Sequence, residues 1–257
     1  MSAELSEPDA AKSRGRVCEP YEVAPTAHYS MGGIHVDPHP HATDVAGLFA
    51  VGECAAGLHG ANRLGGNSLA ECLVFGRIVG AEAARWSAGL DVQVRNRAAI
   101  EEARDEVDQL LAQSGPELAR PPQRALRDLM SDCCGVVRSE HELREGLERL
   151  RELEERVPRL EVRPDIAGYA DLAHAFDLQS SLLAARATLE CARERRETRG
   201  AHNRSDFPAQ EPSLRVNLTW TPGGVIEREP IGDPSAAVAA LAGSPGAELE
   251  IAGRLLE

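Results

Sequence analysis

Helical periodicity between residues 97 and 200 constrains the fold more than any other feature of this 257-residue chain. The segment "EHELREGLERLRELEERVPRL" repeats apolar side chains at three- and four-residue steps, which places them on one helical face (Leu143, Leu147, Leu150, Leu153 and Val157). The segment "IEEARDEVDQLLAQ" does the same (Ile100, Ala103, Val107, Leu110 and Leu111). A coiled-coil seam would need more heptads than these segments contain, so an antiparallel helix bundle is favoured.

Turn residues organise the part of the chain that follows. "AFDLQSSLLAARATLECARERRETRG" predicts another long helix, with Gly200 placed to end it. "PSLRVNLTWTPGGVIEREPI" predicts an exposed strand or a hairpin that turns at Pro-Gly-Gly, and the Ala- and Gly-rich final residues predict a loosely held helix. We therefore expect a disordered lead-in over 1–20, an α/β part over 21–90, a helical part over 91–207 and an extended tail over 208–257.

Composition narrows the class of protein. The hydrophobic content of 42% permits a sizeable core, and the net charge of −13 argues against a nucleic-acid groove. No apolar run is long enough to span a membrane, and the polar start "MSAELSEPDAAKSRGR" is unlike a secretory signal. The six cysteines lack CxxC spacing, which favours free thiols in a reducing cytoplasm. Cys133 and Cys134 are adjacent, and buried thiols are favoured there over a strained disulfide.

The α/β part contains a glycine-rich loop between a short strand and a helix. "YEVAPTAHYSMGGIHVD" is extended in pattern, and "GLFAVGECA" predicts a buried strand from Leu48 to Val51 that runs into a Gly-Glu turn. The loop "HGANRLGG" follows, and then a helix from about Ser68 to Trp86 whose apolar positions suit burial on more than one side.

The residues of this loop suit an anion or a polarised ring. Its glycines let the backbone approach a flat ligand closely, and Asn67 or Ser68 can cap the helix. The first amides of that helix favour negative charge or an electron-rich carbonyl. Arg63 offers a planar fork that can bind a carboxylate through two hydrogen bonds. The alternative is a glycine-rich surface loop with a solvated arginine.

Three segments, "AHYSMGGIHVD", "GLFAVGECAAGLHGANRLGGNSLAECLVFG" and "RRETRGAHNRSDFP", occur in this order. Together they resemble the flavoprotein subunit of succinate dehydrogenase and fumarate reductase, a family that includes L-aspartate oxidase, in its carboxyl-terminal half only. The resemblance covers about residues 20 to 225. It implies FAD and hydride transfer between the flavin and a four-carbon dicarboxylate. The implied fold is the end of a Rossmann-like FAD-binding domain, an antiparallel helical bundle and an extended tail.

The resemblance also assigns residues. His28 and Arg63 would bind the dicarboxylate, and Glu53 would accept hydrogen bonds from the ribityl chain. Asn67, Ser68 and Leu69 would place the helix start at the N1–C2 edge of the flavin, where charge gathers on reduction. The family's partner is an iron–sulfur subunit, so we expect a cytoplasmic location, peripheral to the membrane through partner subunits. His202 and Arg204 would either approach the flavin or tie the helical part to the rest, and the tie is favoured.

Several family features are missing from the sequence. The GxGxxG fingerprint is not present, nor is the family's proton-donor arginine, and Arg199 belongs to a different motif. No catalytic residue is therefore assigned. Three interpretations follow: a partial chain that is inactive alone, a chain that is active with a separate amino-terminal half, or a non-catalytic helical interaction module. Succinate, fumarate and L-aspartate are all compatible with His28 and Arg63.

Two other patterns have a functional and a plainer interpretation. "HVDPHPHATD" could bind a metal through alternating His and Asp, but a solvated loop is favoured because its prolines turn alternate side chains apart. His59 and Ser68 could suggest nucleophilic catalysis, yet no strand-elbow context accompanies them. No metal site is predicted.

Overall fold

The computed structural model describes residues 28–91, 96–164 and 169–233. Five α-helices and one antiparallel pair of strands make up most of the regular structure there: α1 Asn67–Ala88, α2 Arg97–Leu111, α3 Arg120–Cys133, α4 Glu140–Glu154, α5 Ala170–Glu194, β1 Val216–Thr221 and β2 Val225–Pro230. Short 3-10 helices lie at Val157–Arg159 and Pro212–Leu214. The predicted lead-in over 1–20 and the predicted final helix lie outside the described residues.

The core is formed where α3, α4 and α5 pack against one another. The predicted leucine face of α4 is buried, and Val157 packs at its edge (buried residues Leu143, Leu147, Leu150 and Leu153). Ser139 caps α4 by accepting a hydrogen bond from the Glu142 amide, and its hydroxyl donates back to the Glu142 carboxylate. The predicted bundle is therefore present, and its central helix begins at a sequence-encoded cap.

Helix α2 contributes less to the core than its pattern predicts. Only Leu110 is buried, Leu111 packs partly against the core, and Ile100 is 58% exposed. The side chains of α2 that pack in the core, Leu110 and Leu111, are its last two residues, and Val107 is partly buried, so the helix adds little to the core before its last turns.

Helix α5 ends earlier than predicted, at Glu194 rather than near Gly200. The guanidinium of Arg204 donates to the carbonyls of Ala192 and Arg193 at 2.9 and 3.3 Å. These bonds satisfy carbonyls that the end of a helix leaves free, so a distant arginine stops the helix instead of a glycine. Gly200 lies beyond the helix in a tight turn at φ +58°.

The predicted hairpin is confirmed. Strands β1 and β2 pair antiparallel with Trp220 opposite Ile226, and both glycines of the Pro-Gly-Gly turn have positive φ. The Trp220 indole donates to Glu190 of α5 at 2.6 Å, and Arg228 donates to Glu194 at 2.5 Å. The hairpin therefore packs along the last turns of α5.

The segment before α1 differs from its prediction. The predicted strand Leu48–Val51 is instead a single bridge between Ala42 and Phe49, and Leu48 is 50% exposed. Only Ala50 is fully buried in that stretch, in a small cluster with Val36 and Ala55. One bridging pair cannot propagate a ladder, so the backbone forms a loop there.

Helix α1 is also more exposed than predicted. Glu71 and Val79 are its buried residues, while Leu69 and Leu73 are 75% and 76% exposed. The prediction of burial on more than one side is therefore wrong for the described residues. The predicted cap is wrong too: Asn67 is already helical, the N-cap is Gly66 at φ 84°, and no side chain caps the helix.

Candidate functional site

Arg63 is held at the end of the glycine-rich loop, just before α1. Its guanidinium carbon lies 4.6 Å from the centre of the Tyr29 ring, and its Nη1 donates to the Leu64 carbonyl at 3.1 Å. Its Nε is shielded from solvent without a hydrogen-bond partner. Within the described ranges no carboxylate forms a salt bridge with Arg63, so its charge is free to bind an anionic ligand.

His28 precedes Tyr29 in the chain, and its side chain is exposed. Adjacent Cα atoms are separated by about 3.8 Å. Because the Tyr29 ring contacts Arg63, the two predicted dicarboxylate ligands both belong to the surroundings of that ring. The sequence placed them in separate segments, and the tertiary structure brings those segments together.

Two residues that the sequence reasoning did not assign, Glu71 and His59, support Tyr29. The Tyr29 hydroxyl donates to Glu71 Oε2 at 2.6 Å, and His59 Nε2 lies 2.8 Å from the same oxygen. His59 also packs edge-on against Tyr29, with 5.3 Å between ring centres. Glu71 is 3% exposed on α1. One signal was available: Glu71 is a lone acid in the apolar stretch "SLAECLVF".

Hydrogen bonding alters the ionisation of Tyr29. The bond to Glu71, then burial and the negative charge of Glu71, raise the pKa of Tyr29 to about 12. The phenol is therefore neutral over the physiological range and acts as a donor to the carboxylate.

Glu53, predicted at the ribityl chain, is exposed, and its Oε1 accepts a hydrogen bond from the Ser30 amide at 2.9 Å. The backbone segments that follow Ser30 and Glu53 pack closely against each other. The Ile34 amide donates to the Cys54 carbonyl at 2.7 Å, and a Cβ on Gly33 would lie 2.4 Å from that carbonyl oxygen. Glu53 thus orients the segment that carries His28 and Tyr29, whatever else it binds.

The start of α1 presents open backbone. Ideal Cβ atoms built on Gly60, Gly65 and Gly66 would meet no atom within 4 Å. The Asn67 amide donates to the Leu64 carbonyl at 3.3 Å, whereas no side chain caps the next amides of α1, which are available to an electron-rich group. Ser68 is partly buried and Leu69 is exposed at this end.

A turn from the helical part supports the same loop. The Ala201 amide donates to the Ala61 carbonyl at 2.9 Å, two residues before Arg63. Gly200 has φ +58°, and a Cβ there would lie 2.2 Å from the Ala61 oxygen. Glycine is therefore required at this position both by conformation and by space.

The rest of the "RRETRGAHNRSDFP" motif forms a buried polar cluster. Glu197, which is fully buried, accepts hydrogen bonds from Arg195 and Arg199 and from the Glu211 amide. Arg204, also fully buried, pairs with Asp206 at 2.7 Å.

His202 completes the cluster. Its Nε2 donates to the Arg195 carbonyl at 2.9 Å, its Nδ1 accepts from Arg138 at 3.0 Å, and burial lowers its pKa. These partners of His202 and Arg204 all lie in the helical part, and the described hydrogen bond to the glycine-rich loop comes from the neighbouring Ala201 amide.

The His- and Asp-containing loop does not gather metal ligands. Within the part of the chain that the structure describes, no three His, Cys, Asp or Glu side chains are placed to hold an ion. His35, Asp37, His39 and Asp44 are exposed, as a solvated loop requires. His41 departs from that interpretation: it is 3% exposed, bonds the Ala50 carbonyl and stacks on Phe75 at 4.5 Å.

The prediction of buried thiols, rather than a disulfide, at Cys133 and Cys134 is confirmed. Cys133 and Cys134 are buried free thiols, and burial raises the pKa of both. Among the described residues, no helix combines the length and apolar character needed to span a bilayer.

Comparison with known proteins identifies the family. A model described as the carboxyl-terminal part of the fumarate reductase flavoprotein matches residues 123–231, and one described as an FAD binding domain matches residues 4–69. The fumarate reductase flavoprotein subunit of Haemophilus influenzae is 39% identical over 201 residues, which cover 76% of this chain and 33% of that protein. The chain belongs to the fumarate reductase and succinate dehydrogenase flavoprotein family.

Other members of this flavoprotein family agree. The succinate dehydrogenase flavoprotein subunit of Coxiella burnetii is 35% identical over 233 residues, which cover 82% of this chain and 38% of that protein. A structure of quinol fumarate reductase from E. coli superposes with a TM-score of 0.76 at 34% identity, covering 85% of this chain and 39% of that one. The chain spans about a third of the length of the curated relatives it matches.

Proposed function

We propose that this chain supplies the dicarboxylate-binding and flavin-facing part of an FAD-dependent succinate dehydrogenase or fumarate reductase flavoprotein subunit. One observation carries the proposal: Arg63 has no described salt bridge and lies over the ring of Tyr29, the chain neighbour of His28, just before an uncapped helix start. A guanidinium binds a carboxylate through parallel hydrogen bonds, and a histidine in the same region can donate to the second carboxylate. Such binding aligns and polarises the four-carbon skeleton.

The residues at the start of α1 fit the flavin end of FAD. The Cβ-free surface at Gly65 and Gly66 leaves room for a flat ring, and the uncapped amides of Ser68 and Leu69, next to Asn67, suit its carbonyl edge. Glu53 is exposed and adjacent to the segment of His28, as a ribityl acceptor would be. When bound, FAD would exchange a hydride with the dicarboxylate.

The same proposal assigns each part of the chain to a domain. Residues 21–90 would be the end of a Rossmann-like FAD-binding domain, 91–207 a helical domain and 208–257 a tail. The hairpin contacts α5 closely, which supports counting it with the helical domain. An iron–sulfur subunit and the amino-terminal part of the FAD-binding domain are the proposed protein partners, with a cytoplasmic, membrane-peripheral location through them.

Spectroscopy of the purified chain tests this function. FAD is added, the sample is desalted and its visible spectrum is recorded while malonate or fumarate is titrated. We expect retained flavin absorbance and a ligand-dependent shift that Arg63→Ala abolishes. Arg77→Ala is the matched control, because Arg77 lies exposed on α1 away from the loop and should leave the shift unchanged.

Two results would contradict the proposal. Loss of all flavin on desalting would show that this chain does not hold the cofactor. A ligand-dependent shift that persists in Arg63→Ala would remove Arg63 from the site. Titration with succinate and L-aspartate separates the main proposal from an L-aspartate oxidase-like activity, and a chain that responds to no ligand would favour a non-catalytic interaction module.

A further inference from the structure

Glu71 lies beneath the proposed binding site and has no assigned role. It is a nearly fully buried carboxylate in the second turn of α1, and its Oε2 is the meeting point of two side chains from other segments. Tyr29 donates to it at 2.6 Å, and His59 Nε2 approaches it at 2.8 Å. A buried carboxylate needs such donors, and this one takes both from residues around the glycine-rich loop.

The hydrogens of this network can be assigned from the donors available. The Tyr29 hydroxyl has one hydrogen to donate, and the short distance of 2.6 Å indicates that it donates this hydrogen to Glu71. His59 Nε2 lies 2.8 Å from Glu71 Oε2 and 3.1 Å from the Tyr29 oxygen, so Nε2 must carry the hydrogen that it shares with them. The negative charge of the network therefore resides on Glu71, and the Tyr29 ring is a neutral phenol bonded to an anion.

Arg63 lies against the face of that ring. The guanidinium carbon is 4.6 Å from the ring centre, and the attraction is electrostatic, between a cation and the electron-rich face. Donation of the phenol hydrogen to a carboxylate increases the electron density of the ring. The same bond, together with the edge contact of His59, fixes the orientation of the ring.

Few other contacts orient Arg63. Its one hydrogen bond among the described residues goes to the carbonyl of the next residue, Leu64, and its Nε has no partner. The surrounding glycines provide no side chains to pack against it. The Tyr29 face is thus the main surface that sets where the guanidinium lies.

We propose that Glu71 is a positioning residue: acting through Tyr29, its carboxylate holds the Arg63 guanidinium where a dicarboxylate ligand can bind it. The identity of the ligand rests on the function proposed above. The positioning of Arg63 does not, because it is a property of the chain without ligand.

The test measures both properties in the full chain. Nitrogen-15 relaxation at Arg63 Nε, assigned with Arg63→Lys, reports the order of the guanidinium without ligand. Calorimetric titration with malonate reports binding. Glu71→Gln keeps the shape and the acceptor oxygen but removes the charge, and Tyr29→Phe keeps the ring face but removes the bond. In both variants we expect lower order at Arg63 Nε and about two- to fivefold weaker malonate binding.

Glu82→Gln is the matched control, because Glu82 lies on the same helix and pairs only locally with Arg85. It should change neither property. If Glu71→Gln fails to fold, as judged by far-UV circular dichroism, Tyr29→Phe decides the question, since it removes one oxygen only. Unchanged order at Arg63 Nε in the folded variants would overturn the proposal.

The two proposals fail in different ways. If the unaltered chain does not bind malonate, the proposed function is contradicted, while the relaxation of Arg63 still decides the role of Glu71. If malonate binds the unaltered chain and both variants equally, with unchanged order at Arg63, the binding function stands and the role of Glu71 is refuted.

Discussion

Replacing Glu197 with glutamine should destabilise the protein strongly at neutral pH. Glu197 is fully buried, and burial alone would raise its pKa. The guanidinium of Arg199, the amide of Glu211 and the guanidinium of Arg195 outweigh burial and lower the pKa from 4.5 to about 2. The carboxylate therefore stabilises the folded state only in its ionised form.

The size of this effect follows from the change in pKa. At about 1.4 kcal/mol for each pH unit, a pKa that falls from 4.5 to about 2 corresponds to about 3 kcal/mol. Because the pKa is lowered on folding, this stability is fully present above pH 4.5 and is lost as the pH falls towards 2. Glu197→Gln should therefore lower the free energy of unfolding by about 3 kcal/mol at neutral pH, since two arginines lose their shared charge partner.

Urea unfolding followed by far-UV circular dichroism measures this free energy for both proteins across the pH range. Glu227→Gln, on the exposed side of β2 and without a described ion pair, is the matched control and should be neutral. The difference between Glu197→Gln and the unaltered chain should shrink as the pH approaches 2. Equal stability at neutral pH, or a difference that does not depend on pH, would refute the reasoning.

Two further substitutions test the packing. Gly200→Ala places a Cβ 2.2 Å from the Ala61 oxygen at φ +58°, so it should lower the free energy of unfolding by more than the about 1–2 kcal/mol that a left-handed alanine costs. Because Ala61 belongs to the loop that carries Arg63, the substitution should also weaken malonate binding. Calorimetric titration measures that affinity, and an unchanged value would contradict the prediction. Leu150→Ala should cost about 2–5 kcal/mol in urea unfolding because Leu150 is fully buried, whereas Leu73→Ala on the exposed face of α1 should cost little. Similar losses in both leucine variants would show that the core is assigned wrongly.

The sequence correctly predicted those helices and turns whose conformation depends on residues close to one another in the chain. The leucine spacing of α4 predicted its buried face, and Pro-Gly-Gly predicted the turn between β1 and β2. These predictions succeeded because helical periodicity and turn conformation depend on residues a few positions apart. Where the neighbour is distant they failed: Arg204, rather than Gly200, satisfies the last carbonyls of α5.

The candidate site divides in the same way. The types of residue in "GANRLGGNSLAE", and the resemblance they carry, by themselves predicted that Arg63 and the start of the following helix form part of a flavin and dicarboxylate site, and that assignment stays a prediction. Only the tertiary structure decided that Glu71 is buried under Tyr29, that Tyr29 supports Arg63, and that Gly200 closes on Ala61. The physical reason is the distance along the chain between interacting residues. A charge, a glycine and a helix start can be recognised in a short stretch of sequence. A cation packed on a ring, or a buried carboxylate, depends on partners from other segments that only folding brings together.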